Sequence, residues 1–267
     1  MTRLFGFIGI GNMGYAMLSG AANVFDKVNL TFTDVNLERL EWVNEQTGVD
    51  YCKNNSELIK ETKIVILAVK PQYYSNVLTH IKEYITKQHI IISIAPGISV
   101  DSLKEQLGEE TRIIRAMPNT PALVNTGMTA IAYSKDNYLE EEKKLINEFF
   151  TSFGEVVVLE ERLMDSVVPI IGSSPAYVFM FIEALADGAV KLGISRQDAY
   201  KLVAQTVLGS AKMVLDTKEH PGVLKDQVCS PGGTTIEAVA ALEKNGFRNA
   251  ILEAVNDCYE KCIKLSK

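Results

Sequence analysis

Up to about residue 160 the chain alternates short, continuous apolar runs with longer amphipathic stretches. The runs are LFGFI (4–8), LTFT (30–33), IVILAV (64–69), IIISI (90–94) and RIIRA (112–116). Because they lack polar alternation, they predict strands covered on both faces, as in a parallel sheet with helices above and below it. The repetition of strand, helix and strand predicts an α/β, doubly wound domain over residues 1–162. From residue 163 the pattern changes class. Longer amphipathic stretches at 175–192, 196–216, 234–244 and 247–265 predict an all-α domain over residues 163–267. Pro175 suits the first position of a helix after Ser174, Gly193 suits its end, and Ser195 suits the start of the next. Within that helix Glu183, Asp187 and Lys191 form one narrow polar stripe on an otherwise apolar cylinder. So small a domain has too little of itself to cover that cylinder, and a homodimer through the C-terminal helices is predicted.

Composition narrows the classes. With 47% hydrophobic and 22% charged residues the chain is globular, and a net charge of −6 argues against nucleic acid or an anionic membrane as partner. The opening apolar run is cut by Gly6, Gly9, Gly11 and Asn12, and no other stretch is expected to reach the roughly 20 apolar residues of a membrane span. Four cysteines without a CxxC pair predict neither a disulfide framework nor a metal site, and fit a reducing cytoplasm.

The chemistry is concentrated in a few segments. Gly9, Gly11 and Gly14 form G-x-G-x-x-G between an apolar strand and an Ala-rich helix, a Rossmann-like fingerprint. The loop, with Asn12 and Met13, predicts a pyrophosphate site at a helix start; a Walker loop is excluded, since no GK[ST] follows. Asp34, twenty residues after Gly14, suits the ribose hydroxyls of NAD and would repel a 2′-phosphate, which favours use of NADH; capping the next helix is its other possible role. AVKPQ (68–72) and IAPG (94–97) leave the ends of apolar runs and should edge the same crevice, while RAMPNTP (115–121) reads as a proline-bounded turn. In HPGVLKDQVCSPGGTTIEAV (220–239), Thr234 and Glu237 have the spacing of a capping box. Ahead of them, Ser230, Gly232 and Gly233 offer bare backbone amides at a helix start, suited to a small carboxylate.

These motifs together resemble the pyrroline-5-carboxylate reductase family over nearly the whole length, on GFIGIGNMG, AVKP, RAMPNTP, GSSPAY (172–177) and LKDQVCSPGGTTIEAV. The resemblance implies NADPH- or NADH-dependent reduction of the cyclic imine 1-pyrroline-5-carboxylate to L-proline. It implies that Asn55, Ala68, Val69, Lys70, Pro71, Ala95, Pro96 and Gly97 join the glycine loop around the dinucleotide. Glu161, Gln227, Ser230, Gly233, Thr234 and Thr235 would surround the substrate, with the Thr235 hydroxyl at the ring nitrogen. It further implies a dimeric active site, and in some members a decamer. The chain departs from relatives at Asp34, where some have a small hydroxyl residue, at Gln227 in place of Asn, and at Ser174 in place of Gly. The competing readings are a β-hydroxyacid dehydrogenase, whose Lys and Asn pair is missing around Lys191, Lys201 and Lys212, and a non-catalytic dinucleotide sensor.

Overall fold

The computed structural model describes residues 3–265. Its first compact unit runs up to Ser173 and takes in the segment from Cys258; the second is Ser174–Asp257. The expected division after residue 162 thus falls inside the first unit, eleven residues before the compact units separate.

The first unit holds seven strands in one sheet: β1 (Arg3–Ile8), β2 (Leu30–Thr33), β3 (Thr62–Leu67), β4 (Ile90–Ser93), β5 (Arg112–Met117), β6 (Gly127–Tyr133) and β7 (Gly154–Val158), in the order β2-β1-β3-β4-β5-β6-β7. Every neighbouring pair is parallel except β5 and β6. Helices α1 (Asn12–Ala21), α2 (Leu37–Thr47), α3 (Asn55–Glu61), α4 (Tyr74–Ile81), α5 (Val100–Leu107) and α6 (Glu140–Thr151) connect and cover the sheet. The continuous apolar runs follow from two cores. Phe5, Phe7, Ile64, Ile66, Ile90 and Ile92 face one layer with Phe149, while Ile8, Val65, Leu67 and Ile91 face the other with Leu103. A period of two, apolar in both phases, leaves no polar position to alternate.

Two strands, β6 and β7, were not among those predicted. The chain reverses between β5 and β6 through the RAMPNTP segment: Asn119 Oδ1 accepts a hydrogen bond from Met128 N at 2.9 Å, and Asn125 takes a left-handed φ of 56°. The two prolines therefore belong to a turn that returns the chain antiparallel. β7, at the sheet edge, has none of its five residues fully buried, although its sequence carries the apolar run VVV (156–158).

At the opposite end of the strands, Glu142 is buried between two cations. Its Oε1 lies 2.9 Å from Lys63 Nζ, and its Oε2 accepts from Arg112 Nη1 at 2.7 Å and Leu139 N at 3.1 Å. Burial opposes ionisation, but Lys63, the Leu139 amide and Arg112 outweigh it and hold the carboxyl below its ordinary 4.5. A depressed carboxyl contributes stability above its unfolded value and loses it as the pH falls through the folded one. Glu142→Gln is thus expected to cost on the order of 1–3 kcal/mol at about pH 7 and progressively less towards about pH 3, as measured by urea unfolding across that range.

A short helix α7 (Met164–Val167) passes through a π-turn, in which Ser173 N donates to Val168 O at 2.9 Å, into α8 (Ser174–Lys191). Ser174 is therefore already helical rather than a cap, which corrects the expected start at Pro175. The predicted end holds: Gly193, at φ 97°, donates to Val190 O while Ile194 N reaches Ala189 O, and Ser195 Oγ caps α9 (Arg196–Thr217) through Asp198 N. Then follow α10 (Pro221–Val228), a helix outside the predicted set, α11 (Thr234–Lys244) and α12 (Phe247–Leu265), whose last residues belong to the first unit.

On α8 only Ala186 is fully buried, whereas Phe179 and Met180 are 61% and 68% exposed. The run Glu161–Lys191 contains a window of mean hydropathy 1.5, long and apolar enough to cross a membrane, which corrects the expectation that no stretch reaches that threshold. Only 17% of that window is buried within the chain, so the surface is left for another partner.

Candidate active site

The carboxyl ends of β1, β2 and β3 are brought together by backbone contacts. Gly9 N donates to Thr33 O at 2.9 Å and Ala68 N to Ile8 O at 2.8 Å. Gly9 has φ 93°, and a side chain on it would strike Val69 and the Ala68 carbonyl within 2.9 Å. A Cβ on Gly14 would lie 2.4 Å from Gly9 O, so this glycine lets helix and loop touch. Gly11 is different: nothing lies within 4 Å of a Cβ built there. It precedes α1, whose end has neither a side-chain cap nor an acidic residue in its first turn. The amides of Asn12, Met13 and Gly14 thus stand at the positive end of a helix that no side chain caps, and a dinucleotide pyrophosphate fits this cradle.

Asp34 closes the cradle on the β2 side. Its Oδ2 accepts from Ile10 N at 2.8 Å and its Oδ1 from Asn36 N at 3.0 Å. The cap of α2 is Asn36, whose side chain accepts from Arg39 N, so the capping role suggested for Asp34 is not the one it takes. Arg39, which the sequence reading passed over, donates from Nε to Ile10 O at 2.9 Å.

The remaining residues expected around the dinucleotide are dispersed along the same unit. Asn55 opens α3 behind its cap Asn54, and Lys70 and Pro71 form the exposed turn that leads to α4. After β4, Ala95 is buried, Pro96 is exposed and Gly97 has φ 76°. Between the two turns Tyr74 donates its hydroxyl to Leu67 O at 2.8 Å and meets Ser93 Oγ at 3.1 Å; burial pushes its pKa far up, so it remains a neutral strut. Glu161 is tied within the same unit. Its Oε1 accepts from Val100 N, at the start of α5, at 2.7 Å and lies 3.5 Å from Arg115 Nη1. Arg115, 5% exposed, also holds Asp165 at 2.8 Å. Arg115, charged within the otherwise apolar run RIIRA, was the signal for this cluster.

In the second unit Ser230–Gly233 is a type II turn, with Pro231 followed by Gly232 at φ 68° and Gly233 N donating to Ser230 O at 3.0 Å. The cap of α11 is Gly233 and carries no side-chain bond, so the capping box expected of Thr234 and Glu237 does not form; the turn advances the helix start by one residue. Thr234 and Thr235 stand in the first turn of α11, and their hydroxyls donate to no group among the described residues. Thr235 is half-buried, whereas Ser230 and Gln227 are exposed, the latter donating from Nε2 to Glu219 Oε2 at 3.1 Å.

A glycine cradle at the switch of a doubly wound sheet, followed by a helical unit with an uncovered apolar face, defines a dinucleotide-dependent oxidoreductase that homo-oligomerises. Comparison with known proteins gives the family. Residues 161–265 match the pattern described as pyrroline-5-carboxylate reductase dimerisation, and residues 4–97 match NADP oxidoreductase, coenzyme F420-dependent. The chain is 47% identical to pyrroline-5-carboxylate reductase of Escherichia coli (strain K12), over all of both chains. It is 42% identical to that of Methanosarcina acetivorans over 98% of this chain and 97% of the relative. A crystal structure of Plasmodium falciparum pyrroline carboxylate reductase with NADP bound superposes with a TM-score of 0.89 at 36% identity, covering 99% of this chain and 98% of that one. This chain belongs to the pyrroline-5-carboxylate reductase family. Neither the β-hydroxyacid dehydrogenase nor the sensor reading is favoured.

Proposed function

We propose that the chain reduces 1-pyrroline-5-carboxylate to L-proline. The observation that carries this reading is end-to-end identity of 47% with a pyrroline-5-carboxylate reductase, together with a turn whose two threonine hydroxyls donate to no group among the described residues. When bound, the nicotinamide supplies the hydride for the imine carbon. The residues of this chain do the rest. Amides of Asn12 to Gly14 hold the pyrophosphate, Asp34 the ribose, and the segments Ala68–Pro71 and Ala95–Gly97 edge the crevice. The turn Ser230–Gly233 grips the substrate carboxylate with backbone amides, which suits a protein of net charge −6. Thr235 accepts the N–H of the protonated ring nitrogen and so fixes the face of the C=N bond. No His or Lys serves as a dedicated acid in this reading; the iminium brings its own proton. Gln227 and Glu161 act around this core, Glu161 by holding the start of α5 behind the Ala95–Gly97 turn.

Loss of reduced-nicotinamide absorbance on mixing the chain with 1-pyrroline-5-carboxylate and NADPH or NADH, with proline as product, tests the proposal; absence of turnover with both cofactors overturns it. We assign the reaction to the cytoplasm, where the thiols of Cys52, Cys229 and Cys258 stay reduced. The assembly is assigned as a homodimer through the apolar faces of the C-terminal helices, with a decamer as the larger alternative. Phe179→Glu combined with Met180→Glu is expected to shift the species seen by light scattering towards monomer and to lower the melting temperature; an unchanged assembly would place the interface elsewhere.

A further inference from the structure

At the amino ends of β3, β4 and β5, opposite the glycine loop, the rim of the sheet is cationic. Lys63 on β3, Lys87 and Gln88 ahead of β4, Arg112 on β5, and Asn137 and Glu142 around the start of α6 line a hollow of about 590 Å³. Lys63, Lys87 and Arg112 face the single carboxylate of Glu142 there, in a chain whose net charge is −6. That carboxylate is already engaged, through Oε1 on Lys63 and through Oε2 on Arg112 and Leu139 N. Lys87 pairs with Glu110 at 2.8 Å, but the two side chains are 77% and 72% exposed, so the pair is held loosely. An adjoining hollow shares Lys87 and Gln88 and adds Lys60, whose Nζ lies 4.8 Å from the Tyr84 ring.

Arg112 supplies a second, independent observation. Its guanidinium donates from Nη1 to Glu142 Oε2 at 2.7 Å and from Nη2 to Gln88 O at 2.9 Å. Its Nε, by contrast, is the one buried side-chain nitrogen or oxygen among the described residues that has no hydrogen-bond partner. The Tyr138 ring lies 5.9 Å from Cζ, but its hydroxyl is spent on Ile113 O. Buried donors on charged groups are ordinarily met, and the hollow that Arg112 lines has room for the acceptor.

We propose that this rim binds a small polyanion of the phosphate class, held by Lys63, Lys87 and Arg112 Nε. The charges select the class. Three cations against one carboxylate leave a surplus of two, and the unspent groups of these side chains are all donors. A phosphate group brings about two negative charges and three acceptor oxygens on one centre, whereas a single carboxylate would neutralise half of the surplus. The six residues of β3 place the rim on the order of 20 Å from the glycine cradle. A ligand here therefore leaves the dinucleotide crevice free, and the proposal does not depend on the identity of the reduced substrate.

The test is calorimetric titration of the full-length protein with inorganic pyrophosphate, at low salt and with saturating NADPH to occupy the glycine cradle. Pyrophosphate is expected to bind, and Lys87→Met to weaken it by about fivefold or more. Lys143→Met, which removes an exposed ammonium of α6 that pairs with Glu140 outside the hollow, is expected to change the affinity by less than about twofold. Lys87 is too exposed to carry the fold, so its variant reads the site rather than stability. Arg112→Lys keeps the charge but gives up the guanidinium Nε, and is expected to weaken pyrophosphate as well. Failure of pyrophosphate to bind overturns the proposal. Equal losses in the two lysine variants would reduce the effect to overall charge, and no loss in Lys87→Met would put the ion elsewhere; either result also overturns it. Succinate binding as tightly as pyrophosphate would overturn the phosphate assignment.

Discussion

Replacing Gly11 by valine is expected to leave the fold standing and to abolish dinucleotide binding. The geometry separates the two effects. A Cβ at Gly11 meets nothing within 4 Å, so the protein itself has room for a side chain, and the space the valine would fill is that of the pyrophosphate. Gly14 is the control. Its Cβ would sit 2.4 Å from Gly9 O, so Gly14→Ala is expected to cost about 1–3 kcal/mol of stability before any question of ligand arises. Thermal melts with and without NADPH distinguish the two variants. Gly11→Val should melt like the parent and gain nothing from the nucleotide, whereas Gly14→Ala should melt low in both. A Gly11→Val protein that is still stabilised by NADPH would remove the cradle from the glycine loop.

Thr235→Ala is expected to lower kcat/KM for the imine by roughly 10- to 1000-fold with cofactor affinity almost unchanged. What makes the variant informative is the cap of α11. Had Thr234 capped the helix, as its spacing from Glu237 suggests, substitutions in this turn would mix lost stability with lost chemistry. Gly233 takes that position instead, without a side-chain bond, and the Thr235 hydroxyl holds nothing among the described residues. Removing it therefore subtracts only what it does to a ligand. Thr235→Ser should recover most of the rate. Steady-state kinetics with a parallel measurement of nucleotide affinity would decide; full activity in Thr235→Ala would take the ring nitrogen away from this residue.

The central strands were legible because burial on both faces writes itself into sequence as an unbroken apolar run, as in IVILAV and IIISI. β7 carries only the short run VVV (156–158) behind Gly154 and Glu155, and as an edge strand it has no fully buried residue. Local chemistry was legible where a residue acts on its own neighbourhood: Gly193 ends α8 and Ser195 starts α9 through bonds to residues a few positions away. Asp34 shows the limit. Its distance from Gly14 marked it as a ribose ligand or a cap, yet the bond it makes to Ile10 N spans 24 positions, and the cap went to Asn36. The same holds for Arg115, Glu161 and Asp165, which are joined across 46 and 50 positions.

By itself the sequence determined the two-class architecture, the strand and helix periods, the glycine cradle and the need of α8 for cover, because each is set by neighbours within a turn or a strand. Only the tertiary structure decided that β6 runs antiparallel to β5, that Glu142 sits between Lys63 and Arg112, and that Arg39 is tied to the glycine loop through Ile10 O. Those outcomes depend on which distant side chains meet once the sheet has twisted and packed, and chain-local preferences carry no information about such pairs.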